Sequence, residues 1–111
     1  MKKVFLALVF FAACNKPAEV PSWVIPENKM VSMLVQIHIA EARVSLKNLP
    51  ADSSNKYFVY LKEKIYAGYK IDSSTFKKSF RYYANDAKQL DKIYASVVDS
   101  LSLRETLKKI N

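Results

Sequence analysis

The feature that most limits the fold of this chain is a short apolar run near its N-terminus, which ends at the single cysteine. Lys2 and Lys3 precede ten consecutive apolar residues, 4–13, and Cys14 follows directly. A transmembrane helix needs roughly 20 apolar residues to cross the hydrocarbon core, so this run is too short for a permanent span. A positive start followed by a short apolar run is typical of a secretory signal, which takes no part in the mature fold.

The residues around Cys14 indicate how this signal is processed. Ala12 and Ala13 place small residues before the cysteine, as in a lipobox, although Phe11 stands where such boxes usually have leucine. We therefore predict a lipoprotein signal peptide over residues 1–13, and lipidation of Cys14 as the membrane anchor. The alternative is an ordinary signal peptide, or a buried apolar helix, with a cysteine there by chance.

Length and charge limit what the rest of the chain can be. The mature chain is long enough for one domain with a modest core, and its only thiol is committed to lipid, so no disulfide is available. Loss of Lys2 and Lys3 lowers the net charge from +8 to +6. In an exported protein, such charge favours anionic lipids, acidic polymers or acidic protein surfaces as partners, and not nucleic acid. Plain solubility is the alternative explanation.

Residues 14–25 are predicted to form a short lipidated tether. Pro17 and Pro21 fall within this stretch, and proline biases its own backbone and the preceding residue away from helix. Trp23 is unusual in a tether. We expect it either to pack on the domain as a first core contact, or to lie in the membrane interface or in a groove of a partner. A single helical domain is then expected over residues 26–111.

Apolar residues at helical spacing, short loops and the lack of strand-like alternation predict an all-α fold, a compact bundle of about four helices. The helices are expected from Pro26 to about Leu46, from the Asp52–Ser54 caps to about Ala67, from the Asp72–Ser74 caps to Asn85, and from Asp86 to about Lys109. Gly68 is expected to end the second helix in a left-handed conformation. Asp86 and Gln89 have the form of a reciprocal capping box.

The expected core stripes follow from the same spacing. They comprise Met30, Met33, Leu34, Ile37, Ala40 and Val44 in the first helix, Phe58, Leu61 and Ile65 in the second, Phe76, Phe80 and Tyr83 in the third, and Leu90, Ile93, Tyr94, Val97 and Leu101 in the fourth. After Leu101 the apolar pattern shifts to Leu103, Leu107 and Ile110. This shift predicts that the last turns leave the core, fray or meet a partner.

The residues that most enzymes and metal sites need are scarce. One glycine excludes a glycine-rich phosphate loop, one histidine without a free cysteine excludes the common zinc spacings, and no Gly-x-Ser-x-Gly elbow occurs. We therefore expect no catalytic residue, no metal site, no cofactor and no enzymatic activity. The one candidate left is His38 with Glu41, which lie one helical turn apart and can act as a base or ligand pair, or simply form a local polar contact.

Aromatic and basic residues are the remaining candidates for binding. Seven tyrosines exceed what a small core needs, so they either mark a binding surface or cover the core with their hydroxyls in water. Lys77, Arg81, Tyr82 and Tyr83 interleave charge with aromatic rings in the third helix. These four residues, with His38 and Glu41, are the candidates for partner binding; a solvated helix face is the alternative.

The order of several short motifs resembles one known family. They are Pro26–Val31, His38–Ala42, Ile71–Phe76 with Phe80, Tyr82 and Tyr83, and Ile93–Tyr94, all after the lipobox. This arrangement resembles a family of small Bacteroidota lipoproteins of unknown function, domain of unknown function 4296. The resemblance implies an envelope lipoprotein of the outer membrane with a helical domain, and it implies no activity. The weakly charged tether favours the periplasmic face.

Three functions follow as hypotheses. The first is a non-enzymatic accessory module, tethered to the membrane by lipid, that docks on an outer-membrane protein or assembly through the tyrosine-rich basic face. The second is a chaperone-like protein, or one that binds lipid or peptide, with an apolar groove made adaptable by Met30 and Met33. Catalysis at His38 and Glu41 is a third and weaker option. The oligomeric state is left open.

Overall fold

A computed structural model describes residues 20–110, and the predicted signal peptide, Cys14 and the first part of the tether lie outside them. The described residues contain four helices and no strand: α1 Glu27–Leu46, α2 Ala51–Tyr69, α3 Ser73–Ala84 and α4 Ala87–Ile110. This confirms the prediction of an all-α bundle of four helices.

The first helix lies at the centre of the bundle, between α2 and α4, while α3 packs against α4 and α2. The Ser32 and Tyr69 hydroxyls share a hydrogen bond, which joins the start of α1 to the end of α2, so these two helices are antiparallel. Lys92 near the start of α4 pairs with Glu27 at the start of α1, at 3.7 Å between Nζ and Oε1. Since Ile39 further along α1 lines a groove with Leu101, α1 and α4 run in the same direction.

The core follows the predicted stripes closely in α1 and α4 and poorly in α2. Buried side chains in α1 are Met30, Met33, Leu34, Val35, Ala40 and Val44, and in α4 they are Ile93 and Val97. The predicted α2 stripe of Phe58, Leu61 and Ile65 is only half-buried, and Tyr66 is the buried residue of that helix. The second helix therefore covers one side of α1, and its own apolar face stays partly open to water.

The end of α2 differs from the prediction. Gly68 lies inside the helix, and the left-handed residue is Lys70, with φ 58°. Lys70 N donates to Ala67 O at 3.1 Å and Ile71 N donates to Tyr66 O at 3.0 Å, which is the hydrogen-bond pattern of a Schellman motif. Ile71 then packs against the core, so an apolar residue after the helix sets where it ends.

Side-chain caps begin α3 and α4. The Asp72 carboxylate accepts a hydrogen bond from Thr75 N at 2.6 Å, and this bond, aided by the nearby charge of Lys78, holds the pKa of Asp72 below its ordinary value. Asp86 Oδ1 accepts from Gln89 N at 3.4 Å, which is half of the predicted capping box. The other half is missing because Asp86 N donates to Tyr83 O instead.

The described part of the predicted tether is already packed against the bundle. Val24 and Ile25 are each 3 % exposed and belong to the core cluster, so the core begins before the predicted boundary at residue 26. Trp23 remains 54 % exposed and is not a core residue. The tether therefore reaches the domain at a fixed place beside α3.

Candidate functional site

The outward face of α3 carries basic side chains and no acidic ones. The inner face of this helix packs on the core through Phe76, Ser79 and Tyr83. Helical geometry places Lys77 and Arg81 on the opposite side, where both are exposed to water. Lys78, one position on from Lys77, is exposed beside them. Three basic and no acidic side chains occur between Ser73 and Ala84.

Two aromatic rings border this basic face. The edge of Trp23 meets Tyr82 at 5.9 Å between ring centroids, with the ring planes at 85°. The two rings line a shallow surface depression with Lys78, Arg81 and Asn85. We call the surface formed by Trp23, Lys77, Lys78, Arg81 and Tyr82 the α3 patch.

Tyr83 does not belong to this surface, which corrects its place among the candidates for partner binding. Its side chain is fully buried, and its hydroxyl donates to the carbonyl oxygen of Ile25. The other tyrosines show the same tendency. Tyr66 is also buried, Tyr57, Tyr69, Tyr82 and Tyr94 are half-buried, and Tyr60 is exposed. Most of the tyrosines therefore cover the small core, and they do not form a tyrosine-rich binding face.

The pair of His38 and Glu41 is a local contact on α1. His38 Nδ1 lies 3.8 Å from Glu41 Oε2, and both side chains are well exposed to water. The His38 ring also meets Tyr94 edge-on, at 6.3 Å between centroids, so it helps to join α1 to α4. No group of three potential metal ligands occurs among residues 20–110.

A second candidate surface is a groove of about 570 Å³ between the later halves of α1 and α4. Its apolar walls include Ile39 of α1 with Leu101 and Leu107 of α4. Arg104 and Lys108 stand in the same groove, with Glu105 beside them. We call this surface the α1–α4 groove.

The cause of this groove can be read from the α4 sequence. Ile93, Val97 and Leu101 face α1 at intervals of four residues, and the next positions on that side of the helix are Arg104 and Lys108. A charged side chain is not buried without a partner, so the two helices are left unpacked where the stripe turns basic. The shifted apolar residues, Leu103 and Leu107, are 60 % and 51 % exposed. The predicted departure of the last turns from the core is confirmed.

Met30 and Met33 do not line either surface, because both are completely buried between the helices. The hypothesis that these two methionines make a groove adaptable is therefore wrong. The contact of Trp23 with Tyr82 could not be predicted from the sequence, since proline-containing segments carry no period from which packing can be read.

The fold and its surfaces define a small helical domain with a basic patch at one end and an apolar groove further along. The chain belongs to the family described as Domain of unknown function (DUF4296), whose model matches residues 21–106. Comparisons with curated proteins and with solved structures gave no match. Within the part of the chain that the structure describes, no helix combines the length and apolar character needed to cross a bilayer.

Proposed function

We propose that the protein is a lipid-anchored lipoprotein of the cell envelope that acts as a non-enzymatic interaction module, on the outer membrane and facing the periplasm. The apolar run before Cys14 supports the anchor, and the α1–α4 groove supports the interaction. The observation that carries the proposal is the replacement of the core stripe of α4 by Arg104 and Lys108. It leaves apolar surface uncovered next to positive charge.

The partner that fits this groove is an envelope protein with an amphipathic segment. The apolar face of this segment is bordered by carboxylates. Ile39, Leu101 and Leu107 supply the apolar contact, while Arg104 and Lys108 pair with the acidic residues. Membrane tethering raises the effective concentration of both proteins, so a small groove gives sufficient occupancy. This differs from the hypothesis drawn from the sequence, which placed docking on the tyrosine-rich basic face.

Photo-crosslinking in cells tests the groove. A photo-reactive amino acid replaces Leu107 in one strain and Val59, an equally exposed apolar residue of α2, in a control strain. We expect one dominant envelope protein from position 107, attached through a peptide with apolar and acidic residues. The double variant Arg104→Glu, Lys108→Glu is expected to lower this yield tenfold or more, since reversal of both charges repels the acidic segment. The proposal is contradicted if positions 107 and 59 crosslink to the same proteins, or if the double variant gives the same crosslink yield as the natural protein.

The anchor is tested independently of the partner. Labelling of cells with a fatty-acid analogue is expected to mark the natural protein and to leave the Cys14→Ser variant unlabelled. An unlabelled natural protein removes the anchor from the proposal and leaves the groove as a separate question.

The second candidate function is a chaperone-like or lipid-binding role for the same groove. An apolar surface with two cationic side chains also fits an acyl chain with an anionic head. In that case, position 107 crosslinks to many unrelated unfolded proteins, or the purified protein carries lipid that the Arg104→Glu, Lys108→Glu variant loses.

A further inference from the structure

We infer that the α3 patch binds the phosphate head groups of an anionic membrane surface, and that this contact sets the orientation of the domain above the bilayer. The inference rests on the proposed function, because it gives an anchored chain a second membrane contact. It adds a binding surface for the head groups of a bilayer that is separate from both the groove and the anchor.

The charges of the patch are free to bind a ligand. Lys77, Lys78 and Arg81 are exposed, and none of them forms an ion pair with a carboxylate that the structure describes. The nearest acidic residues in the sequence are Asp72, which caps the start of α3, and Asp86, which caps the start of α4. The charge of Lys78 acts on Asp72 without forming an ion pair with it. Positive charge that protein carboxylates do not balance is available to phosphate, which both lysine and arginine bind well.

The aromatic residues of the patch suit a bilayer surface better than a purely aqueous one. Trp23 exposes 54 % of its surface at the edge of the patch, next to Tyr82. Tryptophan and tyrosine collect at membrane interfaces, where one end of the ring system is apolar and the other is wet. Lys78 and Arg81 share a depression with both rings, so their charged ends can reach head groups while the rings lie deeper.

The position of the patch in the chain also favours a membrane. A fully extended chain gains at most about 3.6 Å per residue, so the stretch from Cys14 to Trp23 spans no more than roughly 30 Å. Lipid on Cys14 therefore keeps Trp23 close to the bilayer whatever the path of the intervening residues. A basic surface held this near to anionic lipid meets phosphate at high effective concentration.

The same geometry leaves the α1–α4 groove accessible. Trp23 lies before the start of α1 at Glu27, whereas Ile39 in the groove lies twelve residues further along that helix, roughly 18 Å at the helical rise. With the α3 patch on the head groups, the groove is displaced from the patch along α1 and free for a partner protein. An acidic protein on the α3 patch is the competing occupant, and the experiment distinguishes it.

Trp23 is the only tryptophan of the chain, so its fluorescence reports on the patch directly. The lipidated protein is purified and reconstituted into vesicles of phosphatidylcholine alone, or of phosphatidylcholine mixed with phosphatidylglycerol, each with and without brominated lipid as a quencher. The triple variant Lys77→Gln, Lys78→Gln, Arg81→Gln is compared with a control of equal charge change on α2, Lys56→Gln, Lys62→Gln, Lys64→Gln. Recovery of protein with the vesicles measures attachment through the lipid anchor. Quenching of Trp23 measures contact of the α3 patch with the bilayer.

We expect blue-shifted, strongly quenched Trp23 emission on the anionic vesicles and little quenching on the neutral ones. Each charge removed from the patch lowers the ratio of docked to undocked protein by about fivefold. High salt lowers it as well, and the α2 control matches the natural protein. Equal quenching on both vesicle types, or full quenching in the patch variant, overturns the inference. Absence of quenching together with a protein crosslinked in cells to a photo-reactive residue at position 77 overturns it in favour of an acidic protein.

Discussion

The phenolic hydroxyl of Tyr83 donates a hydrogen bond to the main-chain carbonyl of Ile25, and this contact fixes α3 to the segment that enters α1. Ser79, one turn earlier on α3, accepts a hydrogen bond from the main-chain N–H of the same Ile25 at 3.0 Å. Both polar groups of one buried residue are therefore satisfied by side chains of a single helix. Because the chain is held here, Trp23 comes to rest beside Tyr82.

Removal of the Tyr83 hydroxyl tests this link. Tyr83→Phe leaves the buried carbonyl of Ile25 without its donor, and the free energy of unfolding is expected to fall by about 1–3 kcal/mol. Denaturant unfolding followed by circular dichroism measures the change. Tyr82→Phe, at the preceding position of the same helix, is the control and is expected to cost less than about 0.5 kcal/mol. Equal effects of the two changes would show that the hydrogen bond adds nothing.

Two buried tyrosines make the fold sensitive to alkali. Burial raises the pKa of Tyr83, with smaller effects from Glu27 and Tyr82, and burial also raises the pKa of Tyr66 above the ordinary value of 10.0. As pH rises, the unfolded chain loses these protons first, so stability is complete below about pH 10 and declines above it. Unfolding measured across this range checks the direction, and Tyr83→Phe is expected to flatten the decline. A decline that is equally steep in this variant contradicts the role of Tyr83.

The end of α2 shows where sequence reasoning gave a reliable answer and where it failed. Apolar spacing correctly predicted a helix here, but the helix begins at Ala51 without the side-chain cap expected from Asp52–Ser54, and the lone glycine near its end suggested the wrong left-handed position. The helix continues two residues past the predicted end at Ala67, because the longer helix brings the Tyr69 hydroxyl to Ser32 and Ile71 to the core. Tertiary contacts outweigh the backbone preference of Gly68, and Lys70 takes the strained conformation.

Glycine therefore stands inside the helix at position 68, and lysine stands at the left-handed position 70. A single substitution at either position is expected to stabilise the fold. Gly68→Ala adds a methyl group that meets no atom within 4 Å beyond the adjacent residues and the backbone of its own helix, and it is expected to stabilise the fold by about 1 kcal/mol. Lys70→Gly relieves the left-handed backbone and is expected to stabilise by a similar amount, about 1 kcal/mol. Thermal unfolding measures both, with Lys70→Ala as a control that leaves the strain in place. A destabilised Gly68→Ala protein would place the left-handed residue at 68 instead.

The candidate surfaces differ in how far the sequence predicted them. The basic residues of α3 were predictable, since helical spacing alone separates Lys77 and Arg81 from the aromatic core side. The spacing of Tyr83 placed it both in the expected core stripe and among the binding candidates, and only the partner of its hydroxyl decides between the two. That partner is Ile25, which lies in a proline-containing segment without any period. Contacts of this kind depend on tertiary packing that no local pattern encodes.

Arg104 and Lys108 are expected to lower the free energy of unfolding, because they keep the end of α4 from packing on α1 and so leave the groove open. Arg104→Leu with Lys108→Leu continues the apolar side of Ile93, Val97 and Leu101, so the end of α4 can pack on α1 and gain about 1–2 kcal/mol from partial burial. Denaturant unfolding at several protein concentrations measures this gain and separates it from self-association. The control, Arg104→Gln with Lys108→Gln, removes the charge without adding apolar surface and is expected to change stability far less. If the leucine variant is more stable and also loses the crosslink from position 107, closure of the groove accounts for both results. A leucine variant that gains no stability as a monomer would show that these two charges are not what keeps the helices apart.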